Sequence, residues 1–542
     1  MVGDTRLGLK DVLKDAVHCQ KAGQRDEAEA LYRRALQIEP GHPMANHNLG
    51  VLAVQRGQMI QGLGHLKAAL DADQAVEQYW LSYARALIAS HRRHEALVIL
   101  EQARERGFFG PALTALLLQL RGGKNSSATD TYQLAVQHHR ANRLAEAAAL
   151  YRKVVALEPD HSAAYCNLGA ISAAQGNFEE AVGILQAAAG ARPHDSEIQF
   201  NLGNALTAMG RLDEAVAAYD RALTEKPDFA EAHFRLGSLL SEAGHVAEGF
   251  DHFMRRACLV HKTPMAPQAG NEPLHKVKHD REQREYLADR ILGFSAASDD
   301  RIFHLEDGSR LSGPAINPAI ATPAVMQKWK SDWPQFVVLD DFLTPEALVK
   351  LRNYCAGSTI WRRIYTAGYI GATPEDGLAC PLMAQIAEEV RVLFPEILSA
   401  HLFRYLGAFK YDSTLSTGTN IHADNSAVNL NLYITPDEAN LDPESGGMDI
   451  WDVSMPLDID MRVYNGDEAA AQEFLRRSRA RATTIPHRAN RAVLFKSDLF
   501  HKTSDCKFKE GYLNKRINVS LLFGNRGDPT SENRVNRQVS TG

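Results

Sequence analysis

The first half of the chain repeats one pattern of apolar, small and polar positions at a fixed interval. Asn167-Leu168-Gly169 recurs as Asn201-Leu202-Gly203 after 34 residues, and Leu236-Gly237 follows at the same spacing. Ala181 and Ala215 are separated by the same interval. A unit of this length is a pair of helices whose apolar face is covered only when neighbouring units stack on it. The pattern therefore predicts an all-α repeat region.

The period resembles that of tetratricopeptide repeats and extends over residues 1–260. In this register, seven repeats begin near Leu9, Pro43, Glu77, Ala128, Ser162, Ser196 and Ala230. The register breaks near residues 104–127, where glycines cluster around Phe108-Phe109 and again at Gly122-Gly123. The resemblance implies a superhelix with a concave binding face, and the break in the register predicts two blocks with a bend between them.

Three asparagines recur at one place in this pattern. Asn48, Asn167 and Asn201 each stand just before Leu-Gly on the first helix of a repeat. In the family, asparagines at this place can bind the backbone of an extended peptide, because an amide offers both a donor and an acceptor. The alternative is that these residues merely suit solvated helix positions.

Residues 261–334 interrupt the repeats and are predicted to form a connector. The segment from Lys276 to Leu292 is rich in charged residues and is predicted to be helical. His275 and His279 are four residues apart, a spacing that could chelate a metal ion on one helical face. We expect instead two exposed histidines on a solvated helix.

From residue 335 the pattern changes to helices followed by short strands. Phe336-Val337-Val338-Leu339 is typical of a buried strand, and Thr344-Pro345-Glu346 begins a helix with threonine as N-cap. A second amphipathic helix runs from Pro381 to Leu393, and alternating segments such as Val428 to Thr435 follow. This order favours a double-stranded β-helix, or jelly roll, with helices packed outside. We place this domain at residues 335–526 and a polar tail at 527–542.

The candidate chemistry lies in this second domain. His422 and Asp424 are two residues apart, so their side chains share a face on an extended segment. His501 follows on a later strand that would close over that face. Two histidines and one carboxylate bind one face of an iron(II) ion and leave its other positions free. Arg516 and Asn518 share a face of the next strand, and the arginine fork suits a carboxylate.

The second domain contains a series of motifs, which in chain order are Phe336 to Leu343, Arg404-Tyr405-Leu406-Gly407, His422-Ala423-Asp424-Asn425, Ser445 to Ile450, Asn490 to Phe495 leading to His501, and Lys515 to Ser520. In these motifs, residues 336–526 resemble the iron(II)/2-oxoglutarate-dependent dioxygenases, in particular the prolyl hydroxylase-like branch.

This resemblance implies that His422, Asp424 and His501 bind the metal ion. It also implies that Arg516 binds the distal carboxylate of 2-oxoglutarate and that Tyr405 lies beside this co-substrate, while Asn518 would reach the same cavity. The implied cofactors are iron(II), 2-oxoglutarate and O2, with ascorbate as an accessory reductant.

Three functions stay open at this point. The first is a hydroxylase of a protein or peptide side chain that the repeats recognise or deliver. The second is an oxygenase acting on a small molecule or glycan, with the repeats as a docking scaffold. The third is a repeat scaffold whose oxygenase domain is a sensor or inactive. Each assigns the repeats a protein or peptide partner.

An insertion rich in Ala, Glu and Arg departs from the family pattern at residues 458–481. We expect a helix near the mouth of the barrel. Its four arginines would contact an acidic substrate or, as we favour, belong to a solvated helix face; they are Arg476, Arg477, Arg479 and Arg481.

Composition narrows the class only slightly. Apolar residues make up 45% of the chain, charged residues 23%, and the formal charge is −6, which gives no general attraction to nucleic acid or anionic membranes. The six cysteines form no Cys-x-x-Cys pair, so neither a disulfide framework nor a zinc knuckle is predicted. The N-terminus lacks the apolar core of a signal peptide, and no segment approaches the ~18 apolar residues of a membrane span. We expect a cytoplasmic protein; its oligomeric state stays open.

Overall fold

The computed structural model describes residues 8–120, 128–261, 272–291, 304–416 and 418–528. The chain separates into two compact units, residues 1–209 and 210–542. The helices described in the first unit are α1 (Leu9–Lys21), α2 (Arg25–Ile38), α3 (Pro43–Gln55), α4 (Met59–Ala72), α5 (Glu77–Ala89), α6 (Arg93–Glu105), α7 (Pro111–Leu120), α8 (Ala128–Arg140), α9 (Leu144–Leu157), α10 (Ser162–Ala174), α11 (Phe178–Ala191) and α12 (Ser196–Ala208).

The first unit consists of helix pairs in the predicted register. The predicted repeat starts coincide with the first residues of α1, α3, α5, α8, α10 and α12. The paired helices cross closely where small residues face each other: a Cβ on Gly50 of α3 would lie 3.0 Å from the backbone nitrogen of Leu66 on α4. The recurring small residues of the sequence thus mark the contact between the two helices of a repeat.

The region where the register breaks contains an additional helix. Helix α7 is apolar and packs on α6, with Leu113 and Leu117 each 1% exposed in one core with Trp80 and Leu100. This helix covers the end of the third repeat, a role that the next repeat would otherwise fill. The remainder of the predicted break, residues 121–127, lies outside the described residues.

The second unit begins with helices and continues with alternating helices and strands. Its described helices are α13 (Leu212–Glu225), α14 (Ala230–Ala243), α15 (Val246–Val260), α16 (Leu274–Ala288), α17 (Pro323–Ser331), α18 (Pro345–Gly357), α19 (Pro381–Leu393), α20 (Pro395–Leu398), α21 (Arg462–Asn465) and α22 (Glu468–Arg477). Its described strands are β1 (Phe336–Leu339), β2 (Arg363–Ile364), β3 (Tyr369–Ala372), β4 (Phe403–Tyr411), β5 (Val428–Tyr433), β6 (Met448–Ser454), β7 (Ala482–Ile485), β8 (Arg491–Lys496), β9 (Leu499–Thr503) and β10 (Arg516–Phe523).

Within the described ranges, the strands form two antiparallel sheets. The larger sheet has the order β1-β8-β5-β10-β4-β3-β2, and the smaller one has the order β7-β6-β9. Side chains from both sheets share one buried cluster, in which Tyr433 and Phe495 of the larger sheet meet Met448 and Leu499 of the smaller one. A helical repeat region followed by a β-rich region is therefore confirmed, and closure of the sheets into a jelly roll stays a prediction.

The last repeat helices belong to the core of the β-rich region. The ring of Phe250 on α15 is 1% exposed, and its centroid lies 5.5 Å from that of Phe403 on β4. Arg404 also forms an ion pair with Glu242 of α14 at 2.8 Å. The sequence places the end of the repeat domain at residue 260, whereas the compact units divide at residues 209 and 210. Helices α14 and α15 thus form the last repeat and also pack against the β-rich region.

Replacement of Phe250 by alanine is expected to destabilise the whole second unit. A buried phenylalanine that is truncated to alanine leaves a cavity and costs about 3–5 kcal/mol. Urea unfolding of the full chain, followed by near-ultraviolet circular dichroism, would measure the shift of the midpoint. Phe109→Ala is the matched control, because Phe109 is 58% exposed. An unchanged midpoint for Phe250→Ala would show that the last repeat is separable from the β-rich region.

The connector helix α16 is not the solvated helix that the sequence predicts. His279 is 1% exposed, so the expectation of two exposed histidines is wrong. Gln283 donates hydrogen bonds to the Ser358 carbonyl oxygen and the Tyr512 hydroxyl at 2.9 Å each, and Glu282 forms an ion pair with Lys515 at 2.5 Å. Polar residues can line a buried helix face when partners on other elements satisfy them. The charged sequence of α16 therefore gave no indication that one face of this helix is buried against other elements.

Candidate metal centre

Two backbone segments bring the predicted metal ligands together. His422 and His501 exchange both backbone hydrogen bonds, with N···O distances of 3.0 and 2.8 Å. The Asp424 amide donates to the Ser497 carbonyl oxygen at 2.9 Å. The segment with His422 and Asp424 thus runs antiparallel to the chain around β9. This pairing holds the three side chains at one place, as the spacing of the sequence requires.

The three side chains have the geometry of a shared ion site. Their candidate ligand atoms all lie within 4.8 Å of one another. Asp424 Oδ2 is 3.4 Å from His501 Nε2, and Asp424 Oδ1 is 4.0 Å from His422 Nε2. His501 is buried, while about a quarter of the His422 and Asp424 side chains is exposed, at 27% and 23%. The group is therefore partly accessible through His422 and Asp424.

Both imidazole rings present the same nitrogen to the shared position. His422 Nδ1 lies 2.7 Å from the Asn420 carbonyl oxygen, and His501 Nδ1 lies 2.9 Å from that of Leu499. A carbonyl oxygen can only accept, so each Nδ1 carries a proton and each Nε2 is available as a ligand. This hydrogen bonding is typical of metal-binding histidines.

The electrostatics keep the donors in the forms that bind cations. Burial lowers the pKa of His422, and the neighbouring His501 lowers it further, which favours the neutral imidazole. Burial raises the pKa of Asp424, but its contacts with His501, His422 and Asn429 outweigh this effect, so this pKa falls below its ordinary value. The site therefore combines one carboxylate with neutral imidazole, which is the donor set of two-histidine, one-carboxylate iron sites.

The three side chains line a cavity of about 420 Å³ between the two sheets. Arg516 and Asn518 line the same cavity, as do the aromatic side chains Tyr365, Tyr369, Tyr405, Phe409 and Tyr411. All candidate cofactor residues of the sequence analysis thus face one space. Their convergence depends on the pairing of β4 with β10, in which Arg516 lies opposite Tyr411.

Arg516 is a buried cation held by neutral groups. It is 2% exposed, and it donates to the Gly446 and Gly447 carbonyl oxygens at 2.6 and 3.0 Å and to Asn518 Oδ1 at 2.9 Å. Among the side chains that the structure describes, no carboxylate pairs with its guanidinium. Glycine is needed at Gly447, since a Cβ there would lie 2.0 Å from the Ile485 carbonyl oxygen. A buried charge without a counter-charge is costly, so the cavity favours an anionic ligand.

A chain of hydrogen bonds extends from Arg516 along β10. Asn518 accepts from Arg516 and donates to Ser520 Oγ at 3.2 Å, and the Ser520 hydroxyl donates to Asn431 Oδ1. These side chains alternate on one face of β10 and meet the facing strand β5. Asn518 therefore orients the arginine by accepting from one of its five N–H groups.

Tyr405 lies beside the candidate co-substrate position on β4. Its hydroxyl is so close to the backbone that a Cβ on Gly407 would be 2.8 Å from it. Burial raises the pKa of Tyr405, so the phenol keeps its proton at neutral pH and can donate a hydrogen bond. Tyr405 thus supplies a neutral donor to the cavity.

Sequence reasoning missed an aromatic wall and one amide. The ring centroids of Tyr369 lie 4.5 Å from Tyr365 and 4.8 Å from Tyr411, in stacked arrangements. Asn429 Nδ2 donates to Asp424 Oδ2, while its buried Oδ1 has no hydrogen-bond partner in the described chain. The alternation of Asn and Leu along β5 was the available signal for Asn429, because alternate residues face the cavity.

The arginines of the insertion are absent from the described cavity wall. Arg476 pairs instead with Glu473 of its own helix at 2.7 Å, and both Arg477 and Arg479 are exposed. The backbone amide of Arg481 donates to Asp452 Oδ1 at 2.7 Å. The insertion does contribute one residue to the cavity, Asn465 of α21, which the sequence analysis did not single out.

The three asparagines of the repeats use their amides within the chain. Asn48 Nδ2 donates to the Tyr32 hydroxyl at 3.0 Å, and Asn167 Nδ2 donates to the Tyr132 hydroxyl at 3.3 Å. Asn201 Nδ2 donates to a carbonyl oxygen of its own helix at 2.8 Å. Their role in peptide binding stays a prediction.

Comparisons with known proteins identify the repeats. A tetratricopeptide repeat family profile matches residues 138–206, and a TPR repeat profile matches residues 203–244. The crystal structure of MamA is 21% identical over 30% of this chain and 95% of its own, with a TM-score of 0.27. MamA 41-end from Desulfovibrio magneticus RS-1 is 19% identical over 36% and 97%, with a TM-score of 0.24.

The structure of YrrB, titled a TPR protein with an unusual peptide-binding site, is 16% identical over 37% of this chain and 95% of its own, with a TM-score of 0.20. No curated protein matches the chain. The prediction of tetratricopeptide repeats is confirmed.

In the described ranges, no helix combines the length and apolar character that crossing a membrane requires.

Proposed function

We propose that the chain is an iron(II)- and 2-oxoglutarate-dependent oxygenase that hydroxylates a protein or peptide substrate. One observation carries the proposal: the cluster of His422, Asp424 and His501 shares its cavity with a buried arginine that has no described carboxylate partner. A three-donor face accounts for a metal ion with open positions. The arginine accounts for a second, anionic component.

The donor set fits iron(II) because its atoms can approach one ion from one side. Both Nε2 atoms are free of the proton that Nδ1 carries, and Asp424 keeps one oxygen in contact with Asn429 while the other faces His422. Such hydrogen bonds orient ligands before the ion arrives. Described residues place no fourth protein ligand in the group, which leaves room for a bidentate co-substrate.

The remaining cavity residues fit 2-oxoglutarate. Arg516 offers its fork to the distal carboxylate, and Asn518 and the two glycine carbonyls hold that fork in position. Tyr405 offers the hydroxyl of a protonated phenol as a donor, and the stacked tyrosines form an aromatic wall of the cavity. Iron(II), when bound, would couple two reactions: the oxidation of 2-oxoglutarate by O2 to succinate and CO2, and the hydroxylation of a C–H bond.

The repeats favour a macromolecular substrate. Tetratricopeptide arrays are scaffolds whose concave surfaces bind other proteins. In the second unit, the last repeat helices share a core with the β-rich region, so they belong to the same compact unit as the candidate site. An oxygenase of small molecules or glycans with docking repeats, and a scaffold with a sensory or inactive domain, are the competing functions.

The test is succinate formation by the full chain in the presence of iron(II), 2-oxoglutarate and O2. We expect slow turnover without a substrate, and faster turnover when peptides recovered with the chain from cell extract are added. These peptides should gain 16 Da each. Loss of turnover on omission of any one component supports the proposal. Absence of succinate under all conditions, with iron bound, would favour the sensory or inactive scaffold.

A further inference from the structure

The segment that carries His422 and Asp424 has one face toward the cavity and an opposite face that points away from it. Side chains alternate along residues 421–424, so His422 and Asp424 face the cavity while Ile421 and Ala423, 5% and 1% exposed, point the other way. Phe500, next to His501, is also fully buried on the side away from the cavity, at 0% exposure. A ligand segment of this kind keeps its position only if something covers its back.

The insertion provides this cover. Ile421, Ala423 and Phe500 form one hydrophobic cluster with Ala471 and Leu475 of α22, separate from the main core of the second unit. Phe500 also contacts two aromatic rings of the insertion, with centroids 5.7 Å away for Tyr464 and 5.5 Å away for Phe474. The residues beside both histidine ligands thus pack against α21 and α22.

Asn465 adds a directed contact to this packing. Its Nδ2 donates to the Ala423 carbonyl oxygen at 2.8 Å, and its Oδ1 accepts from the Ala423 amide at 3.1 Å. The backbone groups of His422 and Asp424 point toward β9 and residue 497, so those of Ala423 point to the opposite edge. There the side-chain amide takes the place of a neighbouring strand and satisfies both groups.

The start of the insertion is also fixed. Arg526 follows β10 in the chain. Its guanidinium donates hydrogen bonds to the carbonyl oxygens of Met455 at 3.0 Å and Ile459 at 3.3 Å, and also to that of Pro456. At the other end, the Asp452 amide donates to the Arg481 carbonyl oxygen at 3.0 Å. The insertion is therefore anchored at both ends and in its middle.

We infer that residues 455–480, here named the backing module, set the metal affinity of the site, with Asn465 as its positioning residue. Ala423, which lies between the candidate ligands His422 and Asp424, packs against this module. The separation of the two ligands therefore depends on the module. Metal binding and the order of α21 and α22 are consequently linked, and each stabilises the other. The inference deepens the proposed function, on which the identity of the ion rests, whereas the support of the ligands can be tested with a metal alone.

The experiment compares cobalt(II) binding by the full-length protein and two variants, using the visible absorption of the bound ion. Asn465→Ala is expected to bind cobalt(II) about 10–100-fold more weakly, the usual effect of losing a residue that orients a ligand. Gln472→Ala is the matched control, since Gln472 is exposed on α22 and its side-chain amide donates to Glu468 of its own helix. Its affinity should equal that of the unaltered chain.

A second measurement covers an Asn465→Ala protein that does not fold. Amide hydrogen exchange of the unaltered chain at residues 462–477 is expected to slow when cobalt(II) is added. Unchanged affinity in folded Asn465→Ala, or unchanged exchange at these residues on metal binding, would overturn the inference. Normal cobalt(II) binding and linkage without any succinate formation would instead contradict the proposed function and leave the backing module in place.

Discussion

Replacement of His501 by alanine is expected to abolish both metal binding and succinate formation. His501 contributes one of the three donors, and its Nε2 lies 3.4 Å from Asp424 Oδ2. Loss of a donor should weaken affinity more than about 100-fold, since loss of a residue that merely orients a ligand already costs 10–100-fold. Cobalt(II) titration and succinate assay of the same preparation measure both effects.

The control and the folding check for this prediction lie in the same chain. His245→Ala removes a histidine whose side chain is 61% exposed and should leave both activities unchanged. His501→Gln retains more side-chain volume against Phe495, whose ring centroid is 4.8 Å from that of His501, and should behave like His501→Ala in both assays. Succinate formation at the normal rate in either His501 variant would remove the assignment of this cluster as the metal centre.

Replacement of Arg516 by alanine is expected to raise the 2-oxoglutarate concentration needed for half-maximal turnover about 100-fold, with metal affinity retained. Truncating one partner of a buried, hydrogen-bonded charge pair costs ~2–5 kcal/mol. Arg516→Lys should recover part of the loss, because lysine keeps the charge and lacks the fork. The measurement is succinate formation as a function of 2-oxoglutarate concentration.

Neighbouring cations provide the comparison for Arg516. Arg488→Ala removes an arginine that is half exposed and pairs with Asp340 at 3.0 Å, so we expect no change in the 2-oxoglutarate requirement. Lys515 precedes Arg516, but it forms ion pairs with Glu282 and Asp412 at 2.5 and 3.1 Å. It is therefore committed to other partners. An unaltered requirement in Arg516→Ala would place the anchor of the co-substrate elsewhere in the cavity.

The repeat register and the spacing of the candidate ligands were available from the sequence because both depend on short-range regularity. Helix pairs recur with a constant length, so each predicted start in the first unit coincides with the first residue of a helix. His422 and Asp424 share a face because strand side chains alternate, whatever the rest of the fold does. The alternation also places Arg516 and Asn518 on one face of β10.

Contacts between residues far apart in the sequence determined the features that the sequence did not predict. Ala423 and Asn465 are 42 residues apart, and no local pattern indicates that an amide of the insertion would bind the backbone between two candidate ligands. The charged sequence of α16 predicts exposure, yet partners on distant elements bury His279. The merging of α15 with the β-rich core likewise depends on the contact of Phe250 with Phe403.

The sequence by itself thus determined which helices repeat and predicted which side chains form the candidate metal cluster, because periodicity and alternation act within a few residues. Only the tertiary structure decided what supports those side chains: the pairing of residues 422 and 501, the neutral surroundings of Arg516 and the cover provided by the backing module. These features arise where distant segments satisfy each other's backbone groups and apolar faces, and such contacts follow no fixed interval along the chain.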